Sequence, residues 1–227
     1  MRYDRITQGI FISRPNRFIA NVKINGVNEV CHVKNTGRCK ELLVPGFTTV
    51  YVQESDNPNR KTKFSVIGVL KGDKKINMDS QVTNKVVHEW ISKGNLFKDV
   101  VLIKPEKTYK NSRFDFYVET KTEKAFIEVK GATLEEEGVV KFPDAPTERG
   151  VKHIHELCQC LEDGYKAYII FVIQMKDILY FMPNDVTHKE FGDALREAEK
   201  KGVKVLAVDC YVTEDSIEIC DYVDVRL

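Results

Sequence analysis

One stretch constrains the fold more than any other: Arg113 to Gly131, which reads RFDFYVE, then TKTEK, then AFIEVKG. Both flanks alternate with period two, the signature of half-buried strands. Phe114, Phe116 and Val118 fall on one face of the first strand, with Asp115, Tyr117 and Glu119 on the other. In the second strand Ile127 and Val129 share a face, and Phe126, Glu128 and Lys130 share its opposite. The short polar break from Thr120 to Lys124 predicts a hairpin. Closing it brings Asp115 near Glu128 and Lys130. Two carboxylates and a lysine beside bulky apolar residues are costly to bury unless they are paired or hold a metal. The bare spacing arises about twice by chance in a chain of this composition, so the strand context carries the information. A salt-bridged hairpin at a sheet edge would read the same way.

Before this hairpin, residues 1–80 read as a small all-β unit. Arg17 to Ile24 alternates, with Phe18, Ala20, Val22 and Ile24 on one face, and Asn25-Gly26 makes a two-residue turn. Strands are expected at 28–33, 48–54, 64–70 and 74–79. Five or six short strands in this length suit a barrel of the oligonucleotide-binding type. Charge points the same way. The net charge of +1 conceals 14 Lys/Arg against 7 Asp/Glu in residues 1–80, or +7, beside 21 against 27, or −6, in the remainder. A basic unit of this kind suits a polyanion partner. Two loops in it are rich in donors: Asn35-Thr36-Gly37-Arg38, and the 55–61 stretch with Asn57 and Lys61. Both could grip phosphate, although turns contain the same residue types.

From residue 81 the pattern changes to helix, three strands, helix, two strands, helix and strand. That order predicts an α/β layer with a mixed sheet. The first helix, 81–95, carries its apolar stripe on Val82, Val86, Val87, Trp90 and Ile91. Glu89 lies off the stripe and could reach the hairpin. Thr147 suits the N-cap of the next helix, where Arg149, Lys152, His153 and Glu156 share another face, a basic one that could position a phosphate. The run AYIIFVI at 167–173 predicts a central strand buried on both sides. No run reaches the roughly 18 apolar residues of a membrane span, and the N-terminus has no apolar signal core. A cytoplasmic protein is expected, its six cysteines free thiols in a reducing compartment.

Helix, strand, hairpin with Asp…Glu-x-Lys, helix and strand together resemble the core of the PD-(D/E)xK nuclease superfamily. The resemblance implies that Asp115 and Glu128 hold Mg2+ (or Mn2+), that Lys130 assists the attacking water, and that a first-helix glutamate, here Glu89, joins them. The residue types fit the chemistry. Oxygen ligands hold a hard cation against an anionic phosphodiester, and a lysine stabilises developing charge.

Over nearly its whole length the chain also resembles the sugar fermentation stimulation protein A family. RFIANV at 17–22, NTGR at 35–38, SDN and RK within 55–61, Asn84, SRFDF at 112–116, FIEVKGATL at 126–134 and FPDAPTERGVKHIHEL at 142–157 carry the likeness. It implies an oligonucleotide-binding barrel, residues 1–80, followed by a PD-(D/E)xK nuclease-like domain, residues 81–227. It further implies DNA binding, with single-stranded, duplex and branched forms all open, and no membrane role. Pairing into a homodimer is compatible with it. Asn35, Thr36, Gly37, Arg38, Asn57, Lys61, Arg149, Lys152 and His153 are the phosphate-binding candidates. Two functions follow as expectations: a divalent-metal-dependent nuclease, or a non-catalytic DNA-binding regulator of sugar (maltose) metabolism genes.

Overall fold

The computed structural model describes residues 1–35 and 37–227. Strands β1 (Ile6–Asn16), β2 (Ile19–Ile24), β3 (Val27–Val33), β4 (Thr49–Glu54) and β5 (Phe64–Lys71) build the first unit, and β6 (Lys74–Asn77) folds back on β5. The sheet order β3-β2-β1-β4-β5-β6 closes into a five-stranded barrel because β3 also pairs with β5, in parallel. This is the oligonucleotide-binding architecture. Asn25 and Gly26 both take positive φ, +49° and +84°, as the tight turn between β2 and β3 requires.

The structure adds one strand and corrects one expectation, each for a physical reason. β1 does not stand out in the sequence because Gly9 and Pro15 interrupt its alternation, and its register with β2 shifts twice. Gly9 is needed for contact: a Cβ there would sit 2.5 Å from Val22 Cγ1. Phe18 does not join Ala20, Val22 and Ile24 inside the barrel. It belongs to the β1–β2 turn and is 51% exposed, whereas those three are buried.

The second unit comprises α1 (Val82–Ser92), β7 (Val100–Tyr109), β8 (Ser112–Thr120), β9 (Lys124–Ala132), β10 (Glu135–Glu136), β11 (Val139–Phe142), α2 (Glu148–Glu162), β12 (Lys166–Ile173), β13 (Tyr180–Pro183), α3 (Asp185–Lys201), β14 (Lys204–Val212) and β15 (Ile217–Val225). Its mixed sheet runs β10-β11-β13-β15-β14-β12-β9-β8-β7. β7 runs to Tyr109, and Pro105 within it is tolerated because β7 lies at the sheet edge. β12 lies between β9 and β14, parallel to both, with Ile169 to Ile173 fully buried. α1 packs its apolar stripe against Phe116, Ile127 and Val129 on one face of the sheet. α2 and α3 cover Phe126, Ile169 and Phe171 on the other. Thr147 caps α2 by accepting the Gly150 amide at 3.1 Å. α3 begins at Asp185, with Asn184 as its cap and a kink at His188. All six cysteines are unpaired. Among the described residues no helix is long and apolar enough to cross a membrane.

The two units share an interior. One set of buried side chains runs from Phe11, Val22 and Val66 in the barrel to Leu157, Phe171 and Phe191 under the helices. Polar bonds add to the junction. The Asn77 amide donates to the Gln174 carbonyl at 2.9 Å, and Gln174 Nε2 donates to Asn77 Oδ1 and to the Asp79 carbonyl. Tyr3, at the start of the chain, donates its amide to the Asp215 carbonyl in the β14–β15 turn.

A further tie joins Lys71 of β5 to Glu135 of β10, with Nζ 2.8 Å from Oε2. Burial would raise the Glu135 carboxyl, but the Lys71 and Gly138 hydrogen bonds and the Lys71 and Lys74 charges hold it below the usual range. A carboxyl depressed in the folded state adds stability above its unfolded pKa of about 4.3, and loses it as pH falls through the folded value. Lys71→Met is therefore expected to destabilise the protein by about 2 kcal/mol at neutral pH. The deficit should shrink below about pH 4. Urea midpoints measured across that range check both statements.

Candidate functional site

β8 and β9 pair antiparallel as far as Phe116 and Ile127. At the next position Asp115 Oδ2 itself accepts the Val129 amide, at 2.8 Å. This re-aims the strand. Phe114 packs beside Phe126 on the α2 side, while Phe116 lies with the α1 cluster, so the two do not share a face as the alternation predicts. Asp115 stands at the change-over, half-buried, where β8 leaves β9.

Asp115 is held from a second direction. Asn84 of α1 donates its side-chain amide to Oδ1 at 2.7 Å. The two hydrogen bonds still leave about half of the carboxylate's lone-pair sites free. Burial raises the Asp115 carboxyl above the usual range, and the nearby Glu128 charge adds to the rise. Glu128 is 3% exposed. Its Oε1 accepts from Lys130 Nζ and from His153 Nδ1 of α2, both at 2.6 Å. Burial pushes the Glu128 carboxyl up, but the His153 hydrogen bond and the Lys130 charge outweigh it, so the group sits below the usual range. Its other oxygen, Oε2, is buried and has no partner. A buried carboxylate oxygen with no donor is expensive. Beside a second carboxylate and a lysine, the same oxygen fits a divalent cation.

α2 completes the wall. Arg149 Nε donates to His153 Nε2 at 3.3 Å, which leaves Nδ1 as the protonated nitrogen facing Glu128. Lys152 reaches the Asn111 carbonyl at 3.0 Å. Glu156, one turn beyond His153, is also buried with an unpartnered Oε2.

The structure therefore brings Asp115, Glu128, Lys130, His153 and Arg149 together. It does not bring in Glu89, which is exposed and pairs with the Met1 amino group at 2.8 Å. The α1 contribution is Asn84, five residues nearer the helix start and on another face, where a side chain can reach the β8–β9 junction. Its sequence signals are an amide next to the apolar stripe and a place among the residues that carry the family resemblance. Gly131 is not needed for backbone freedom. A Cβ there would lie 2.7 Å from Gln174 Oε1 and 3.0 Å from Thr83 Cγ2.

The two basic loops fare differently. Asn35 turns its side chain onto the Gly37 amide, and the Arg38 amide donates to Asp144 Oδ2 at 3.2 Å. Gly37 sits so close to Asp144 that a Cβ would collide with the carboxylate. Thr36 lies outside the described residues. Arg14, which sequence reasoning passed over, organises this loop. Its guanidinium donates to the carbonyls of Asn35, Gly37, Arg38 and Arg17 at 2.6 to 2.9 Å. Asn57 and Lys61 lie on the exposed β4–β5 loop, where Asn57 Oδ1 accepts the Asn59 amide. Between the Arg14-braced loop and the end of β9 opens a cleft of about 360 Å³, lined by Arg17, Asn35, Ser80, Gly131, Asp144 and Gln174 among others.

The comparisons with known proteins agree across the whole length. A family model described as "SfsA N-terminal OB domain" matches residues 12–78, and one described as "Sugar fermentation stimulation protein RE domain" matches residues 81–216. Proteins called sugar fermentation stimulation protein homolog from Clostridium beijerinckii and Ruminiclostridium cellulolyticum are 70% and 66% identical, each aligned over the full length of both chains. The solved structure of Pyrococcus furiosus SfsA in complex with Ca2+ superposes with a TM-score of 0.91 at 28% identity, covering 100% of this chain and 98% of that one.

Proposed function

This chain belongs to the sugar fermentation stimulation protein family, and we propose that it binds DNA and hydrolyses its phosphodiester bonds with Mg2+ (or Mn2+). The observation that carries this reading is Glu128 Oε2, a buried acceptor without a donor beside Asp115. Asp115 and Glu128 would hold the ion, which supplies charge neutralisation at the phosphate and a more acidic water. The Pyrococcus relative was solved with Ca2+, another hard cation that takes oxygen ligands.

The chain's own residues do the rest. Asn84 and the Val129 amide fix the Asp115 carboxylate. His153 and Lys130 occupy one oxygen of Glu128 and leave the other, buried one without a partner. The Lys130 side chain is 18% exposed, so it can meet the charge that develops on phosphate oxygens. A pure binder has no need for this combination.

The test is incubation of the protein with end-labelled single-stranded, duplex and branched DNA in Mg2+. Cleavage is expected from the natural protein and not from Asp115→Ala. Cleavage that persists in the variant would remove this cluster from the chemistry.

A second reading, DNA binding without cleavage, is supported by the +7 charge of residues 1–80 and by the exposed Arg38 and Lys61. It expects affinity that falls steeply with salt, weakens on loss of Arg38 and Lys61, and ignores Glu128→Gln.

A further inference from the structure

We infer that the cleft between barrel and α/β layer admits a single DNA strand rather than a duplex, and that Phe18 is the platform on which one of its bases stacks. The inference rests on the DNA-processing reading above and adds the form of the substrate.

Three observations carry it. The first is Phe18 itself, an aromatic ring left 51% exposed where the alternation calls for a core residue. The Arg17 guanidinium lies over the ring, 5.8 Å from its centroid. Arg17 makes no ion pair among the described residues, so its charge remains available to a phosphate. An exposed ring beside a free cation is how single strands are held: the base stacks and the backbone pairs with the charge.

The second is rigidity. The Phe18 amide donates to Asn16 Oδ1 at 2.9 Å, its carbonyl accepts the Val33 amide at 2.8 Å, and Arg14 grips the neighbouring Arg17 carbonyl. The ring is therefore presented on a fixed tip, which lowers the ordering cost of binding.

The third is the cleft. Arg17, the residue before Phe18, and Gly131, directly after Lys130, both line it. Its volume of about 360 Å³ is that of a small-ligand pocket. Duplex DNA presents paired, stacked bases inside a wide rod, so neither the stacking nor the entry is open to it without melting.

The experiment measures fluorescence anisotropy of the full chain with labelled oligo(dT) and with a blunt duplex of equal length, both in EDTA so that nothing is cut. Oligo(dT) is expected to bind at least about ten-fold tighter than duplex. Phe18→Ala should weaken oligo(dT) binding about ten-fold and leave duplex binding unchanged, and Phe18→Trp should restore it. A melting curve on each variant confirms folding, which a half-exposed ring does not govern. Equal or tighter duplex binding, or oligo(dT) affinity unchanged by Phe18→Ala, overturns the inference. Failure of the cleavage reading looks different: Phe18-dependent strand binding with no Mg2+-dependent cutting.

Discussion

Replacing Glu128 with glutamine is expected to lower Mg2+-dependent cleavage by about a thousand-fold, or about 4 kcal/mol of transition-state stabilisation. It should do so without unfolding the protein. Glutamine keeps a carbonyl oxygen where Oε1 accepts from Lys130 and His153. Its amide nitrogen falls where Oε2 has no partner, which removes a charge from the cation position and places N–H groups against it. Asp115→Asn is a poorer probe. Both oxygens of Asp115 accept hydrogen bonds, from Asn84 and from the Val129 amide, so an asparagine must set a donor against a donor. The expected contrast is a Glu128→Gln protein with natural melting behaviour, natural DNA affinity in EDTA and almost no turnover. Calorimetric titration with Mn2+ should show binding weakened in the same variant. Turnover within ten-fold of the natural protein would rule Glu128 out as an essential ligand.

Arg14→Ala is expected to be the most damaging single change outside the α/β core, at about 3 kcal/mol of stability. The guanidinium satisfies four backbone carbonyls, those of Asn35, Gly37, Arg38 and Arg17. Charge-assisted bonds contribute about 1.5–3 kcal/mol each but are not additive within one side chain. Its buried Nε has no partner, which offsets part of the gain. Lysine should not rescue, because one ammonium cannot span four acceptors arranged around a planar fork. Urea unfolding gives the magnitude. Hydrogen exchange should show the amides of Gly37 and Arg38 losing protection before the strands of the barrel do. A loss below about 0.5 kcal/mol would mean that the loop holds its shape without this brace.

What the sequence disclosed follows from the physics of each signal. The Asn25-Gly26 turn, the Thr147 cap and the doubly buried β12 were all legible, because local chemistry alone dictates them. The convergence of Asp115, Glu128 and Lys130 was legible from period two and a short turn. The change of face between Phe114 and Phe116 was not. It depends on a carboxylate taking a backbone hydrogen bond across the hairpin, which no alternation encodes. His153 read as a phosphate ligand because it lies on a basic helix face. Its bond to Glu128 spans 25 residues and needed the fold. Arg14 left no trace, since its partners are carbonyls that any sequence supplies. Glu89 and Asn84 show that a helix face predicts direction, while the reach of the side chain depends on where the helix crosses the sheet.

The common interior has a bearing on ancestry. A barrel that merely hung from a linker could be traded among enzymes, its grip on a polymer adjusted apart from the machinery it serves. Here Gln174, on the segment leaving β12, is bonded to β6, which folds back on the barrel, and leaves no room for a Cβ on the glycine that follows Lys130. A gene fusion or exchange at that seam would disturb jaw and anvil together. The relative placement of the two halves is thus set by their shared interior rather than by a hinge.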